Sequence, residues 1–221
     1  MTEKLHTFEG PGIRITWSGR RCIHVAECVR GLPAVFRPGE RPWIHAERAD
    51  ADALARVVER CPSGALHYER ADGGPAEAVP ARNEIRPRRN GPLFVRGDLE
   101  IADADGAVML RDVRVALCRC GQSENKPFCD NHHLAADFRD AGDVFEGGVK
   151  PGEPGEPGAE RRLRILVSED GPYRLTGPLV VTSADGRVTL EGGAASLCRC
   201  GQSRNKPFCD GSHTQVEFRG T

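Results

Sequence analysis

Short runs of Val, Leu and Ile alternate with polar residues along this chain, and turn-forming residues interrupt them at short intervals. In the first third, Ile13 to Trp17, Trp43 to Ala46 and Ala65 to Tyr68 read as strands. Between the last two, Asp50 stands where a helix cap belongs, and Leu54, Val57, Val58 and Cys61 follow at helical spacing up to Pro62. Later in the chain, apolar runs flank Ala104, Asp105 and Gly106, and again Ala184, Asp185 and Gly186, which predicts small antiparallel β structures. Two segments, 71–90 and 147–160, break the pattern. They are too rich in Gly, Pro and charge to bury apolar surface, and they read as linkers.

The segments after the first linker are related to each other. At an offset of 80 residues, GPLFVRGDLEIADADGAVML matches GPYRLTGPLVVTSADGRVTL without a gap, and Phe138 and Arg139 find Phe218 and Arg219. The closest likeness is between CRCGQSENKPFCDNHH (118–133) and CRCGQSRNKPFCDGSH (198–213), identical at 13 of 16 positions. The organisation predicted is a domain over 1–70, a linker over 71–90, a repeat over 91–146, a Pro/Gly linker over 147–160 and a second repeat over 161–221. A repeat of this size buries too little surface to stand without a metal, a disulfide or a partner.

Composition narrows the chemistry. The 221 residues carry 31 Lys and Arg against 32 Asp and Glu, so no basic field draws nucleic acid or an anionic membrane. No apolar run is long enough for a signal peptide or a membrane span, and a cytoplasmic location is expected. In that compartment nine cysteines point to metal rather than disulfides, and six of them share one repeated spacing.

That spacing is C-x-C-x8-C-x3-H: Cys118, Cys120, Cys129 and His133, then Cys198, Cys200, Cys209 and His213. Three thiolates and an imidazole suit zinc and iron alike, and the tight C-x-C departs from the usual zinc knuckle. Gly121 and Gly201 permit close backbone approach, and Pro127 and Pro207 stiffen the loop. Asp130 and Asp210 are placed to cap a short turn that returns each histidine toward the preceding cysteine, while Lys126 and Lys206 read as solvated. His132, beside His133, is expected to be exposed.

These residues, with Ser203 and the run Pro207, Phe208, Cys209, Asp210, Gly211, Ser212, His213, resemble the CDGSH, or mitoNEET-like, family of 2Fe-2S proteins. The resemblance implies that Cys198 and Cys200 hold one iron and Cys209 and His213 the other. By position the same roles fall on Cys118, Cys120, Cys129 and His133, although CDNHH replaces CDGSH there. It also implies a two-fold arrangement with a small β cap, here formed within one chain as a monomeric pseudo-dimer. An imidazole ligand must be unprotonated to bind iron, so acid is expected to strip these clusters.

The first third holds a second constellation: Cys22, Cys28 and Cys61, the last followed by Pro62. Relative to a bacterial ferredoxin run, Val25 occupies the middle cysteine position. The stretch from Ile13 to Arg70, including CVRGLPAVF, RPWI and CPSGAL, resembles a divergent single-cluster 4Fe-4S ferredoxin domain. That implies a βαβ-type ferredoxin fold and a 3Fe-4S or 4Fe-4S centre on the three cysteines. A 4Fe-4S centre would need water or an outside group as its further donor; His24 is the nearest protein candidate, but a lone His beside a cysteine is more often structural or exposed, and it is not assigned. The fold class expected is therefore α+β: a ferredoxin-like domain followed by two CDGSH repeats.

Nothing in the sequence resembles a substrate site: there is no Gly-rich nucleotide loop, nucleophile elbow or HExxH helix, and catalysis is not expected. The function expected is iron-sulfur binding in electron transfer, cluster delivery, or redox or iron sensing, with an unidentified redox partner or cluster acceptor. The rival is a zinc-stabilised scaffold for protein contacts.

Overall fold

The computed structural model describes residues 4–151 and 161–220, and the chain divides into two compact units, 1–78 and 79–221. Most regular structure is β, with a few short helices. No helix among the described residues is long and apolar enough to cross a membrane.

In the first unit, β1 (Leu5–Gly10), β2 (Ile13–Ser18) and β3 (Leu66–Arg70) form an antiparallel sheet in that order. Ile13 and Ile15 turn inward while Arg14 faces solvent, the period-two pattern of a strand with one buried face. Two helices, α1 (Glu27–Gly31) and α2 (Ala51–Val58), connect β2 to β3. The Asp50 side chain accepts a hydrogen bond from the Ala53 N–H at 2.8 Å, which starts α2 as the sequence predicts, and Leu54, Val57 and Val58 enter the core. The helix ends at Val58, so Cys61 lies in the turn beyond it rather than on its apolar face.

Two features depart from expectation here. Trp43 to Ala46 is not a strand: a single bridge joins Phe36 to Ile44, and Ala46–Arg48 curls into a 3-10 turn. Ile44 and Ala46 are nevertheless buried, so the run is apolar because it is a core loop. Strand β1 carries no strand signal in the sequence, because most of it is exposed and it lacks an apolar face.

The second unit is built on one seven-stranded sheet. Its strands are β4 (Glu84–Pro87), β5 (Leu93–Ala102), β6 (Val108–Leu117), β7 (Val149–Lys150), β8 (Leu163–Val167), β9 (Tyr173–Thr182) and β10 (Thr189–Leu197). The expected hairpins are present, with β6 antiparallel to β5 and β10 antiparallel to β9. The segment 71–90 is not purely a linker, because β4 lies within it. Ile85 is fully buried between outward-facing Glu84 and Arg86, and one apolar residue among charges and prolines gives little sequence signal. Within the Pro/Gly segment 147–160, Val149–Lys150 pairs with Ala195 and Ala194, and residues 152–160 lie outside the described residues.

Strands from both repeats interleave in this sheet. Glu84 of β4 lies opposite Val180 of the parallel β9, and Arg164 of β8 lies opposite Glu100 of the parallel β5. The second pairing is the first displaced by the 80-residue repeat with the two repeats exchanging roles. Leu99 and Ile101 from one repeat and Ile165, Leu175 and Leu197 from the other share a single apolar cluster. Truncating Ile85 to Ala removes a fully buried side chain from that cluster and is expected to cost about 2–5 kcal/mol in denaturant unfolding of the second unit. An unchanged midpoint would mean that β4 is dispensable.

Candidate metal centres

Backbone pairing closes each cysteine motif into the same loop. Cys118 N–H donates to Pro127 O at 2.9 Å and Cys129 N–H to Ala116 O at 2.9 Å, which pairs Leu117 with Phe128 and closes the loop between the first and third cysteines. In the second repeat Cys198 donates to Pro207 O at 2.8 Å and Cys209 to Ser196 O at 2.9 Å. The Ser123 and Ser203 hydroxyls brace the loops by donating to Phe128 O at 2.6 Å and Phe208 O at 2.7 Å.

The candidate ligands stand in pairs. Cys118 Sγ is 3.6 Å from Cys120 Sγ, and Cys129 Sγ is 3.5 Å from His133 Nδ1. In the second repeat the distances are 3.8 Å for Cys198 and Cys200 and 3.4 Å for Cys209 and His213. A tetrahedral metal with bonds of about 2.3 Å to sulfur and about 2.0–2.1 Å to nitrogen spaces two sulfurs about 3.8 Å apart and a sulfur and nitrogen about 3.6 Å apart. Each pair therefore fits one metal atom. Among the described residues no three or more His, Cys, Asp or Glu side chains gather closely enough to hold one ion, and the four donors of a repeat stand as two separate pairs.

Charge favours the same reading. Within each Cys-x-Cys pair one thiol gives its proton up readily because its neighbour donates a hydrogen bond to the thiolate, which brings Cys118 and Cys200 down to about 6. The second proton is held: Cys120 and Cys198 are pushed far up by that same bond, by burial and by repulsion between the two charges. Burial raises Cys129 to about 12. A bound cation removes these penalties by neutralising the thiolates. Backbone N–H groups of Gln122, Asn131, Gln202 and Gly211 point at Cys120, Cys129, Cys200 and Cys209 at 3.4–3.5 Å, further favouring the charged sulfurs.

The histidines are delivered by short turns. In α3 (His132–Ala135), Asn131 occupies the cap position in the left-handed region, and Gly211 does so before the 3-10 turn Ser212–Thr214. The predicted caps Asp130 and Asp210 sit one residue earlier, but they do accept the His132 and Ser212 N–H groups and also clamp Glu124 N and Arg204 N across the loop. Cys129 and His133 are buried, whereas Cys209 and His213 are partly exposed. His132 is partly exposed, and its ring pairs with Asp130 at 2.8 Å. Lys206 bonds the Gly201 and Ser203 carbonyls, so it is more than a solvated charge.

Sequence reasoning missed the residues that hold these loops in place. Arg119, whose side chain is fully buried, donates to Gly91 O and Arg88 O at 2.7 Å and pairs with Asp140. Arg199 reaches Ser168 O and Gly220 O and lies over Tyr173 and Phe218. The identity of Arg at both C-x-C positions, and the matched Phe138 and Phe218, were the available signal. Tyr173 crosses between the repeats: its buried hydroxyl donates between Cys118 O at 2.8 Å and Pro127 O at 2.9 Å. The loops also meet directly. Gly121 and Gly201 have φ of 81° and 82°, and a Cβ on either would fall 2.5 or 2.6 Å from the carbonyl oxygen of Cys200 or Cys120.

In the first unit Cys22, Cys28 and Cys61 line one cavity of about 600 Å³, walled by Trp17 and Trp43 in an edge-on contact at 5.1 Å. Burial and the nearby charges of Cys61 and Cys22 raise the Cys28 thiol to about 11, so the three sulfurs feel one another. Ligands of a multi-iron cluster bind different irons and need no common point.

The family described as "Divergent 4Fe-4S mono-cluster" matches residues 8–71, and that described as "Iron-binding zinc finger CDGSH type" matches residues 90–134 and 170–214. Over 61 residues the chain is 34% identical to the "Uncharacterized protein YjdI" of Escherichia coli (strain K12), covering 28% of this chain and 80% of that protein. The same figures hold for the protein of that name in Escherichia coli O157:H7. No solved structure matches.

Replacing Tyr173 by Phe removes the buried donor shared by the Cys118 and Pro127 carbonyls and leaves Pro127 O only the Cys118 N–H, at a cost of about 1–3 kcal/mol. The metal centre of repeat 1 is expected to be lost to a chelator faster than in the unaltered protein, followed by its visible absorption. Equal rates would remove Tyr173 from the account.

Proposed function

The chain belongs to the iron-sulfur proteins in which a divergent 4Fe-4S mono-cluster domain is joined to tandem CDGSH-type iron-binding domains, and on that premise we propose that it is a one-electron carrier without catalysis of its own. In this reading Cys118 and Cys120 hold one iron of a 2Fe-2S cluster and Cys129 and His133 the other. Cys198, Cys200, Cys209 and His213 do the same in the second repeat. Cys22, Cys28 and Cys61 hold a 3Fe-4S or 4Fe-4S centre. When bound, the clusters supply one-electron redox chemistry.

The observation that carries this reading is the meeting of the two ligand loops. Gly121 against the Cys200 carbonyl and Gly201 against the Cys120 carbonyl leave no room for a side chain between them. Two centres so held sit a short, fixed distance apart, which suits electron exchange. In the first repeat Cys118, Cys120, Cys129 and His133 are all buried, which opposes there the ligand exchange that cluster delivery requires. The reciprocal pairing of β4 with β9 and β8 with β5 supports an intramolecular pseudo-dimer. A zinc scaffold has less support, since zinc would draw four donors to one point and the donors stand in separate pairs. The reading places the protein in the cytoplasm, where thiols stay reduced.

A reductive titration followed by EPR is expected to place one electron on each 2Fe-2S cluster and to recover the starting spectrum on reoxidation, with all iron retained. Iron leaving the protein during the cycle would favour cluster delivery instead.

The histidine ligands set the pH dependence. Burial, with the charges of Arg88 and Arg119, lowers the His133 pKa and so favours the neutral form that binds iron. Protonation on acidification removes that form, so the centre is present at neutral pH and lost as pH falls below the free imidazole value of about 6.5. The visible bands are expected to bleach in acid, and the double variant His133→Cys, His213→Cys to hold them to lower pH. Bleaching at the same pH in both proteins would separate acid loss from the histidines.

A further inference from the structure

Three cysteines leave one iron of a four-iron cube without a protein ligand. The cavity around Cys22, Cys28 and Cys61 offers few donors to fill that position, and most are committed. Glu27 pairs with Arg30 at 2.6 Å, and Glu40 is held by Arg37 at 2.9 Å and His45 at 2.8 Å. The Ser63 hydroxyl accepts from Ala65 N–H and touches Cys61 Sγ at 3.6 Å. The indole N–H of a tryptophan and the guanidinium of Arg41 have no lone pair to give.

His24 is different. It lines the same cavity, stands two residues after Cys22 and four before Cys28, and is exposed. Among the described residues no hydrogen bond or ion pair engages its ring. Its backbone lies in the left-handed region at φ 53°, and Ala26 follows at φ 65°. Residues other than glycine enter that region seldom, and such conformations gather at functional sites. The two bends put the imidazole on the loop that carries two of the three cysteines.

We infer that His24 is the fourth ligand of a 4Fe-4S centre on Cys22, Cys28 and Cys61, giving this unit the same set of three thiolates and one neutral imidazole that each repeat carries. The inference rests on the reading of the first unit as a cluster site. The neutral imidazole gives its lone pair to the remaining iron in place of water, and no electron changes hands in that step.

The test uses the full-length chain, loaded anaerobically, as the unaltered protein and as His24→Ala. Iron is counted and EPR is recorded on the oxidised protein, in which two-iron and four-iron clusters are silent and a three-iron centre is not. The unaltered protein is expected to hold about eight irons and give no signal. The variant is expected to lose about one iron and show a three-iron signal, or to shed the centre altogether, and free imidazole added during loading restores the silent form. A three-iron signal in the unaltered protein, a variant indistinguishable from it, or a loss that imidazole does not reverse would overturn the assignment of His24. A count of about four irons in the unaltered protein would instead overturn the cluster reading of the first unit, and the inference with it.

Discussion

Thiolates repel one another, and burial strengthens the repulsion because little water is left to screen it. This chain places two sulfurs 3.6–3.8 Å apart in each repeat and buries them. Without a cation each pair keeps one proton, and the third cysteine of repeat 1 is kept neutral by burial. The arrangement is comfortable only when metal compensates the charge. Much of the surrounding structure serves to hold sulfurs where they would otherwise move apart.

The means are mostly backbone. Each loop is clamped by a two-residue ladder at its base and by a serine hydroxyl within it, and the arginine between the first two cysteines ties its outer side to distant carbonyls. Neither repeat does this alone. Tyr173 in the second repeat fixes two carbonyls of the first, and β4 and β8 each pair across to the other repeat's long strand. A unit of about 50 residues has too small a core to hold such a loop by itself. Sharing one sheet between two such units provides the constraint, and it also brings the ligand loops into contact at Gly121 and Gly201.

The ligand pairs, the hairpins and α2 were legible in the sequence because each depends on neighbours close in the chain. A cysteine two residues from another, or a histidine four residues from a cysteine, is placed by covalent geometry and one turn. What was not legible depends on partners far away. Arg119 meets Asp140 and Gly91, Tyr173 meets Cys118, and β4 gains its meaning from β5 and β9. The run Trp43 to Ala46 misled for the converse reason: burial made it apolar although it pairs through a single bridge. In the first unit the three cysteines could be named, but the cavity joining them to His24 emerges only from the fold.

The most direct test of the central claim is the metal and sulfide content of protein isolated without exposure to air. If the sulfur pairs grip iron-sulfur clusters, iron and acid-labile sulfide will be present in near-equal amounts, at about four or more atoms of each per chain, with zinc at trace level. Protein carrying about two zinc ions per chain and no labile sulfide would contradict the account.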